Sequence, residues 1–557
     1  MRNFILLLAL SSAFSCTTLR AASLDGHAPE KVQARQIAPA ARKPASTLEE
    51  AGDLAETLVS LIAEYRNDKE GSLRDPAFKE KLVKVGAALD ATGKLETSLD
   101  HATKLAKQRG LLPNLDEASR GFLVTTISSA IHAELQSRGL TADGQNRVYQ
   151  SWDDLGHEIH SKIDHLSAKQ LHVGTPEYWD TYRDFTHSEF SSGNAVKILV
   201  NGPASFEERA KIIDSAQKEI LVMSWAVEDD TTGAWLKERL LKKASEGVKV
   251  KVMVDGLTSY REGYSKILGE LEAAGIEVVR WRSTDSTRSF DGQHRKMLIV
   301  DGKTMVGGGL NWGDHYSHLD AAHSIPWRDT DLAIEGPAVQ QGRELFRSLW
   351  NEAPGAKSRE KILFQAPVKS AATNATSQIA IVNHQPGKDS NILSSLALSI
   401  RSAKKEIYIE NAYFILDPVV EQAVRDARAR GVRVVVMTNS SESVDEPTVS
   451  RPIMKSVNKL IDMGAEVYLK PGHLETLHSK AMMVDGESSW VGSQNFHPRS
   501  TRYEGEVILS VKGKEFAADM KKMFDHDIST FTAQTTPVVV KDDALADLQE
   551  DLFFDQL

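Results

Sequence analysis

The chain has 557 residues, 41% of them apolar, which is enough for ordinary packed cores and sets a soft prior of three or four domains. Its 67 basic and 77 acidic side chains leave a net charge of −10, a balance that argues against a dedicated nucleic-acid binder, because such domains are more often basic. A single cysteine, Cys16, excludes an intrachain disulfide, and beyond the first residues no run approaches the roughly 18 apolar residues of a membrane span.

In chain order, Met1 to Asn3 followed by Phe4 to Leu10 and then Ser and Ala residues read as an export signal over residues 1–22, too short to span a bilayer. Cys16 after Ala13-Phe14-Ser15 suits lipoprotein processing, although Phe14 departs from the usual pattern. The expected destination is outside the cytoplasm: periplasm, membrane-attached lipoprotein or secreted. Residues 23–46 are rich in Ala and Pro without a period and read as a flexible tether.

Residues 47–190 carry helical spacing, seen at Leu54, Leu58, Leu61 and Ile62 and again at Phe122, Ile127, Ile131 and Leu135, and predict an all-helical domain of undisclosed role. His157, His160 and His165 on one helix, with His172 just beyond, lack a zinc spacing and read as solvated surface.

From Lys197 the pattern alternates. Ile198–Val200 reads as a strand, Phe206–Ala216 as a helix, Glu219–Trp225 as a strand, Thr232–Glu246 as a helix and Val248–Val254 as a strand, in a first half spanning 195–353. After an Ala/Lys/Ser/Thr-rich linker over 354–378, residues 379–530 repeat the order: helix Ile392–Ser402, strand Glu406–Glu410, helix Pro418–Arg430 and strand Gly431–Met437. An acidic tail over 531–557 ends in Leu552-Phe553-Phe554.

Within these halves one pattern occurs twice. His294-x-Lys296-x4-Asp301-Gly302 leads to Gly308-Gly309-Leu310-Asn311, and His478-x-Lys480-x4-Asp485-Gly486 leads to Gly492-Ser493-Gln494-Asn495. His and Asn are 17 residues apart in both copies, and the copies are 184 residues apart. Two histidines near their ordinary pKa of about 6.5 can divide the work of attacking phosphorus and protonating a leaving alcohol. Lys and Asn can hold the phosphoryl oxygens as their charge grows, and this chemistry requires no metal or other cofactor. Each copy reads as a strand, a tight Asp-Gly turn and a second strand, with His and Lys on one face by the period of two. Asp301 and Asp485 sit in the turns and are expected to brace the loops.

The duplicated motif resembles the mark of the phospholipase D superfamily, with Gly309 departing from the Ser493 of the second copy. Trp327-Arg328-Asp329-Thr330-Asp331 and Asn495-Phe496-His497-Pro498-Arg499 resemble its cardiolipin synthase-like branch. The resemblance covers about residues 195–530 and implies an α/β fold of two homologous α/β/α halves packed around one cleft, behind the helical N-terminal domain. It also implies a phosphohistidine intermediate, His294 as nucleophile, His478 as acid and base, and Lys296, Lys480, Asn311 and Asn495 on the phosphoryl oxygens. Asp329 and Glu506, each seven residues before a glycine, are implied as the carboxylates that hold the histidine rings.

The expected substrate is a phospholipid at a membrane surface, with no nucleic acid and no deducible protein partner. A phosphatidyltransferase fits best; a phospholipid hydrolase, a secreted nuclease of the same superfamily and a catalytically idle lipid-binding lipoprotein are the alternatives. His315, His318 and His323 fall between Asn311 and Asp329, a stretch seven residues longer than its counterpart in the second half and expected as a loop at the cleft mouth, contacting a head group and not a metal, and Leu474 and Leu477 are expected at the entrance.

Overall fold

The structure is a computed structural model that describes residues 95–110, 152–167, 171–282, 291–353 and 355–541, with isolated positions between 57 and 85 and at 550. The export signal, Cys16 and the tether lie outside these residues. So do Leu54, Leu58, Ile62, Phe122, Ile127, Ile131 and Leu135 of the helical stripes, and Leu552 to Phe554 of the tail. The chain divides into two compact units, residues 1–149 with 542–553, and residues 150–541 with 554–557. In the first, the helix Leu95–Gln108 buries Ala102, Thr103 and Ala106. No helix among the described residues is long and apolar enough to cross a membrane.

The second unit is built on one continuous mixed sheet. Its first half supplies β1 (Ser191–Val200), β2 (Glu219–Ser224), β3 (Lys249–Asp255), β4 (Glu277–Trp281), β5 (Gly292–Gln293), β6 (Met297–Val300), β7 (Thr304–Gly308) and β8 (Thr330–Glu335). The second half supplies β9 (Ser377–His384), β10 (Glu406–Asn411), β11 (Arg433–Asn439), β12 (Glu466–Lys470), β13 (Lys480–Val484), β14 (Ser488–Gly492), β15 (Glu504–Lys512) and β16 (Thr532–Gln534).

Strand order reads as a palindrome: β12-β11-β10-β13-β14-β15-β9 in one half meets β1-β8-β7-β6-β2-β3-β4 in the other, with β16 beyond β12. The join is the antiparallel pair β1–β9, where Ser191 faces Ile379 and Asn194 faces Ser377 across an irregular register. Asn194 stitches this join, its amide donating to the Ser191 and Ser377 carbonyls and its oxygen accepting from the Ala338 N–H.

Alternation along the strands explains the layers. Ile220 and Val222 of β2 face one apolar cluster with the helices Asn201–Ser215, Thr231–Ser245 and Lys266–Ala273, while Leu221 and Met223 face another. That other cluster runs under both halves, joining Met253 and Met297 to Tyr408, Val435 and Met483 beneath the helices Ala338–Glu352 and Lys514–Thr530. The strands are covered on both faces, which is why they read as unbroken apolar runs. Local chemistry fixes the helix starts: Asp230 accepts from the Gly233 N–H, and Asp417 accepts from the Val419 and Val420 N–H groups ahead of Pro418.

The expected helical domain of 47–190 is not one body. From residue 150 the chain joins the α/β unit. There the helices Trp152–Ser167 and Pro176–Thr186 bury Leu155, Ile159, Ile163, Tyr178, Trp179 and Tyr182 against the helices Asn391–Ser402 and Pro418–Ala429. A helical apolar stripe announces a buried face without saying what covers it. His157 and His165 are exposed, but His160 is half-buried and hydrogen-bonds the Val419 carbonyl at 3.1 Å.

Candidate active site

The two motifs meet where the halves cross. β5 runs beside β15, pairing Gly292 with Glu504 and Gln293 with Gly505, and the His294 N–H donates to the Gly505 carbonyl at 3.0 Å. On the other side Arg328 bridges Leu477, and the His478 N–H donates to the Arg328 carbonyl at 2.7 Å. Each histidine is therefore strung beside the strand that carries the other half's carboxylate. His294 Nδ1 lies 2.9 and 3.1 Å from the oxygens of Glu506, and His478 Nδ1 lies 2.7 Å from Asp329 Oδ2. The acids are exchanged, so neither half holds a complete histidine–carboxylate pair.

The carboxylates are themselves held. Ser493 and Ser500 donate hydroxyls to Glu506, the latter at 2.7 Å, and the Thr330 N–H donates to Asp329 Oδ1 at 2.7 Å. This accounts for the one mismatch between the motifs. A Cβ at Gly309 would run into the Asp329 carboxylate, whereas Ser493 has room to reach Glu506. The smaller residue lets the acid of the first half sit against the loop.

Lys296 and Lys480 lie two positions past their histidines, facing the same side of the strand, and each ammonium donates to the carbonyl of its own histidine. Lys480 Nζ also lies 3.0 Å from His478 Nδ1. Asn311 and Asn495 follow β7 and β14, the hairpin neighbours of those strands. Asn311 accepts from Ser224 Oγ at 3.1 Å and donates to the Tyr316 hydroxyl at 3.0 Å, while the buried Asn495 Oδ1 has no hydrogen-bond partner.

Several residues that sequence reasoning missed support this centre. Asp255 ends β3 and accepts the Gln293 N–H, and Asn439 ends β11 and grips both the N–H and the carbonyl of Leu477 at 2.8 Å. These two equivalent positions fix the residue before each histidine. An arginine fills each crossing, one after β5 and one before β8: Arg295, beside Gly505, donates to Asn383, His384 and Gln385, whereas Arg328, which shares the Thr330 hydroxyl with Ser479, donates to Asp527 and Glu410. The matched swap, Arg with Gly in one crossing and Ser with Arg in the other, becomes visible only once the two halves are superposed.

Surroundings differ between the histidines. Glu504 Oε2 lies 3.9 Å from His294 Nδ1, so two carboxylates face that ring, and Trp225 meets it edge-on at 6.1 Å. His478 sits in an aromatic box: Trp327 stacks on it at 5.5 Å, and Tyr316 and Tyr413 stand perpendicular at 5.1 and 6.3 Å. The insertion at 311–329 builds part of that box. His315 stacks on Trp327, while His318 bonds the Trp327 carbonyl and His323 pairs with Asp320. Leu477 is fully buried in the shared core and lines no entrance.

Burial, reinforced by Lys296 and Lys480, holds both histidines well below the ordinary imidazole pKa, so both rings are neutral in the empty cleft at pH 7. Burial also lowers Lys296 to about 7 and Lys480 to about 8. A phosphodiester entering between the lysines would offset their lesser share of the histidines' depression and so favour a second proton on one imidazole. Among the described residues, only His294, Glu504 and Glu506 bring ligand atoms within 4.8 Å of one another in the manner of a metal site, and these atoms are engaged with each other and with Ser493, Ser500 and Arg499. Asp301 and Asp485, both left-handed at φ 53° and 54°, each accept three backbone N–H groups, from residues 217–219 and 404–406.

Comparison with known proteins agrees with the geometry. The family model described as "Cardiolipin synthase, PLD-like domain" matches twice, at residues 210–350 and 396–528. The chain is 29% identical over 407 residues to a cardiolipin synthase of Oceanobacillus iheyensis, covering 70% of this chain and 82% of that one. It is 30% identical over 350 residues to cardiolipin synthase A of Pseudomonas aeruginosa, covering 62% and 69% respectively. Among solved structures, a phosphatidylserine synthase from Haemophilus influenzae shares the fold with a TM-score of 0.51 at 13% identity, covering 67% of this chain and 96% of that one.

Proposed function

The chain belongs to the phospholipase D superfamily, in its cardiolipin synthase-like branch, and from that premise we propose that it moves a phosphatidyl group from one phospholipid to the alcohol of a second. The observation that carries the reading is the exchanged pair of acids, which leaves two oriented imidazoles beside two lysines in one cleft. With Nδ1–H directed to a carboxylate, each ring presents Nε2 as its reactive atom.

In the first step, with the diester bound and His478 entering as the imidazolium, His294 Nε2 bonds to phosphorus, the bond from phosphorus to the leaving glycerol oxygen breaks, and His478 gives its Nε2 proton to that oxygen, becoming neutral. In the second step the acceptor hydroxyl gives its proton to His478, its oxygen bonds to phosphorus, and the bond to His294 breaks. Lys296, Lys480, Asn311 and Asn495 hold the non-bridging oxygens throughout. His294 is assigned as nucleophile because Glu504 and Glu506 together offset the positive charge a phosphorylated ring carries. We place the enzyme outside the cytoplasm, at a membrane surface, on the strength of the export signal read in residues 1–22.

The test is incubation of the purified protein with labelled phosphatidylglycerol in vesicles. Cardiolipin with released glycerol is the expected product, and phosphatidic acid alone would replace the transferase with a hydrolase. His294→Ala and His478→Ala should each abolish turnover; an active variant of either would overturn the mechanism.

A further inference from the structure

A further histidine, His497, is buried in the cleft, and the two-step transfer does not use it. It caps the short helix Pro498–Arg502, where its Nδ1 accepts the Ser500 N–H at 3.0 Å. A backbone N–H only donates, so Nδ1 carries no proton and the proton of the neutral ring sits on Nε2. Burial lowers this imidazole to about 4, which keeps the same neutral tautomer in place at every pH where the lysines are of use.

The ring is tied to both reacting histidines. It stacks on Tyr413 at 5.9 Å, Tyr413 stands edge-on to His478 at 6.3 Å, and the charges of Glu504, Glu506 and His294 all bear on it. Only 5% of the residue is exposed. Among the described residues no group accepts from Nε2, and, unlike the sealed and unpaired Trp490 Nε1, that atom keeps contact with solvent. A hydrogen-bond donor on a side chain this buried costs free energy unless something enters to take it. The neutrality of the donor also fits its place. Lys480 already bears down on Lys296, and a further cation here would depress both lysines more, whereas a neutral N–H holds an anion without adding charge. Glu504 and Glu506 make this wall repel an anion, and an N–H turned into the cleft offsets that.

We propose that His497 Nε2–H donates a hydrogen bond to the phosphoryl group of the substrate, which makes His497 a phosphate-binding residue beside Lys296, Lys480, Asn311 and Asn495. The proposal rests on the phosphoryl site of the reading above and not on its acceptor, so it holds whether the group passes to an alcohol or to water. One imidazole thus does two things: Nδ1 holds the helix that carries Ser500, a donor to Glu506, and Nε2 meets the substrate.

Two substitutions separate the two ring nitrogens. Asparagine puts an oxygen where Nδ1 stands and keeps the cap, but leaves the place of Nε2 empty; glutamine reaches that place with an N–H and gives up the cap. The full-length protein is titrated calorimetrically with inorganic phosphate at pH 6, where both lysines carry charge, alongside a thermal melt. His497→Asn should melt as wild type does yet bind phosphate about ten-fold or more weakly, the loss expected for one hydrogen bond to a charged group. Its kcat/KM on phosphatidylglycerol vesicles should fall by the same factor. His497→Gln should melt lower while its phosphate affinity stays close to wild type. His497→Ser, also a good cap, carries the test should His497→Asn not fold. A histidine that only caps gives the opposite order, with affinity following stability, and that result would overturn the proposal. Equal affinity in wild type and folded His497→Asn, or no phosphate binding by wild type, would overturn it too. Phosphatidic acid as the sole product from vesicles would overturn the transferase and leave the role of His497 standing.

Discussion

Glu506→Gln is the most direct probe of the exchanged acids. The carboxylate lies 2.9 Å from His294 Nδ1 in a fully buried position. At an effective dielectric of about 20, a unit charge at that distance stabilises a cationic ring by ~6 kcal/mol, or about four decades in rate if all of it appears in the transition state. The glutamine carbonyl can still accept the Nδ1 proton, so about three decades are expected to be lost. Its new NH2 group also faces the donors Ser493 and Ser500, which adds to the disturbance. The assay is single-turnover release of labelled glycerol, alongside a thermal melt to confirm folding. Glu506 lies 212 residues from His294. The effect must therefore be shared with His294: in a double-mutant cycle, adding Glu506→Gln to His294→Ala should cost almost nothing further. A folded Glu506→Gln enzyme within ten-fold of wild type would refute the claim that the second half's acid serves the first half's histidine.

Three other outcomes follow from the same geometry. Because burial lowers Lys296 to about 7 and Lys480 to about 8, kcat/KM should fall as pH rises through 7 to 8, where the free enzyme loses the charges that hold phosphate. kcat should hold to higher pH, since bound phosphate keeps the lysines protonated. The folded pKa of Lys296 lies below the ordinary 10.5, so the folded state binds fewer protons than the unfolded chain between about pH 7 and 10.5, and the charge is a stability cost present in full below pH 7. Lys296→Met should therefore be inactive yet more stable at pH 6, by on the order of 3 kcal/mol in denaturant unfolding, with the gain fading towards pH 10. Finally, Gly309→Ser should drive a side chain into the Asp329 carboxylate and lower kcat by about 100-fold, whereas Ser493→Gly, which makes the second motif like the first, should cost about ten-fold through one lost hydrogen bond to Glu506.

The repeat was legible because it is written twice. Strands predicted at 219–225 and 406–410 are found at Glu219–Ser224 and Glu406–Asn411, and the helix predicted at 392–402 is found at Asn391–Ser402. Buried strands announce themselves by continuous apolar runs bounded by turns. What a single strand cannot announce is its partner. Asp329 and Glu506 stood out by their matching distances from a glycine, but their crossing over to the opposite histidine is a property of the β1–β9 join. Asp255 and Asn439 differ in residue type, so no motif links them, although both end the third strand of a half and fix the residue before a histidine. Tyr316 hid in an insertion that looked like a histidine-rich loop, and Leu477 looked like an entrance residue because its burial depends on the other half.

The exchange of acids also sets a clock. A ribosome adding 5–20 residues per second needs roughly 10–40 s to travel from His294 to Glu506. Until then the first half can fold its own strands, but its histidine has no carboxylate, and for most of that time the lysine of the second half has not been made. The proposed transferase is in this way kept inert as a nascent chain, and becomes competent when the last long strand, β15, slots in beside β9.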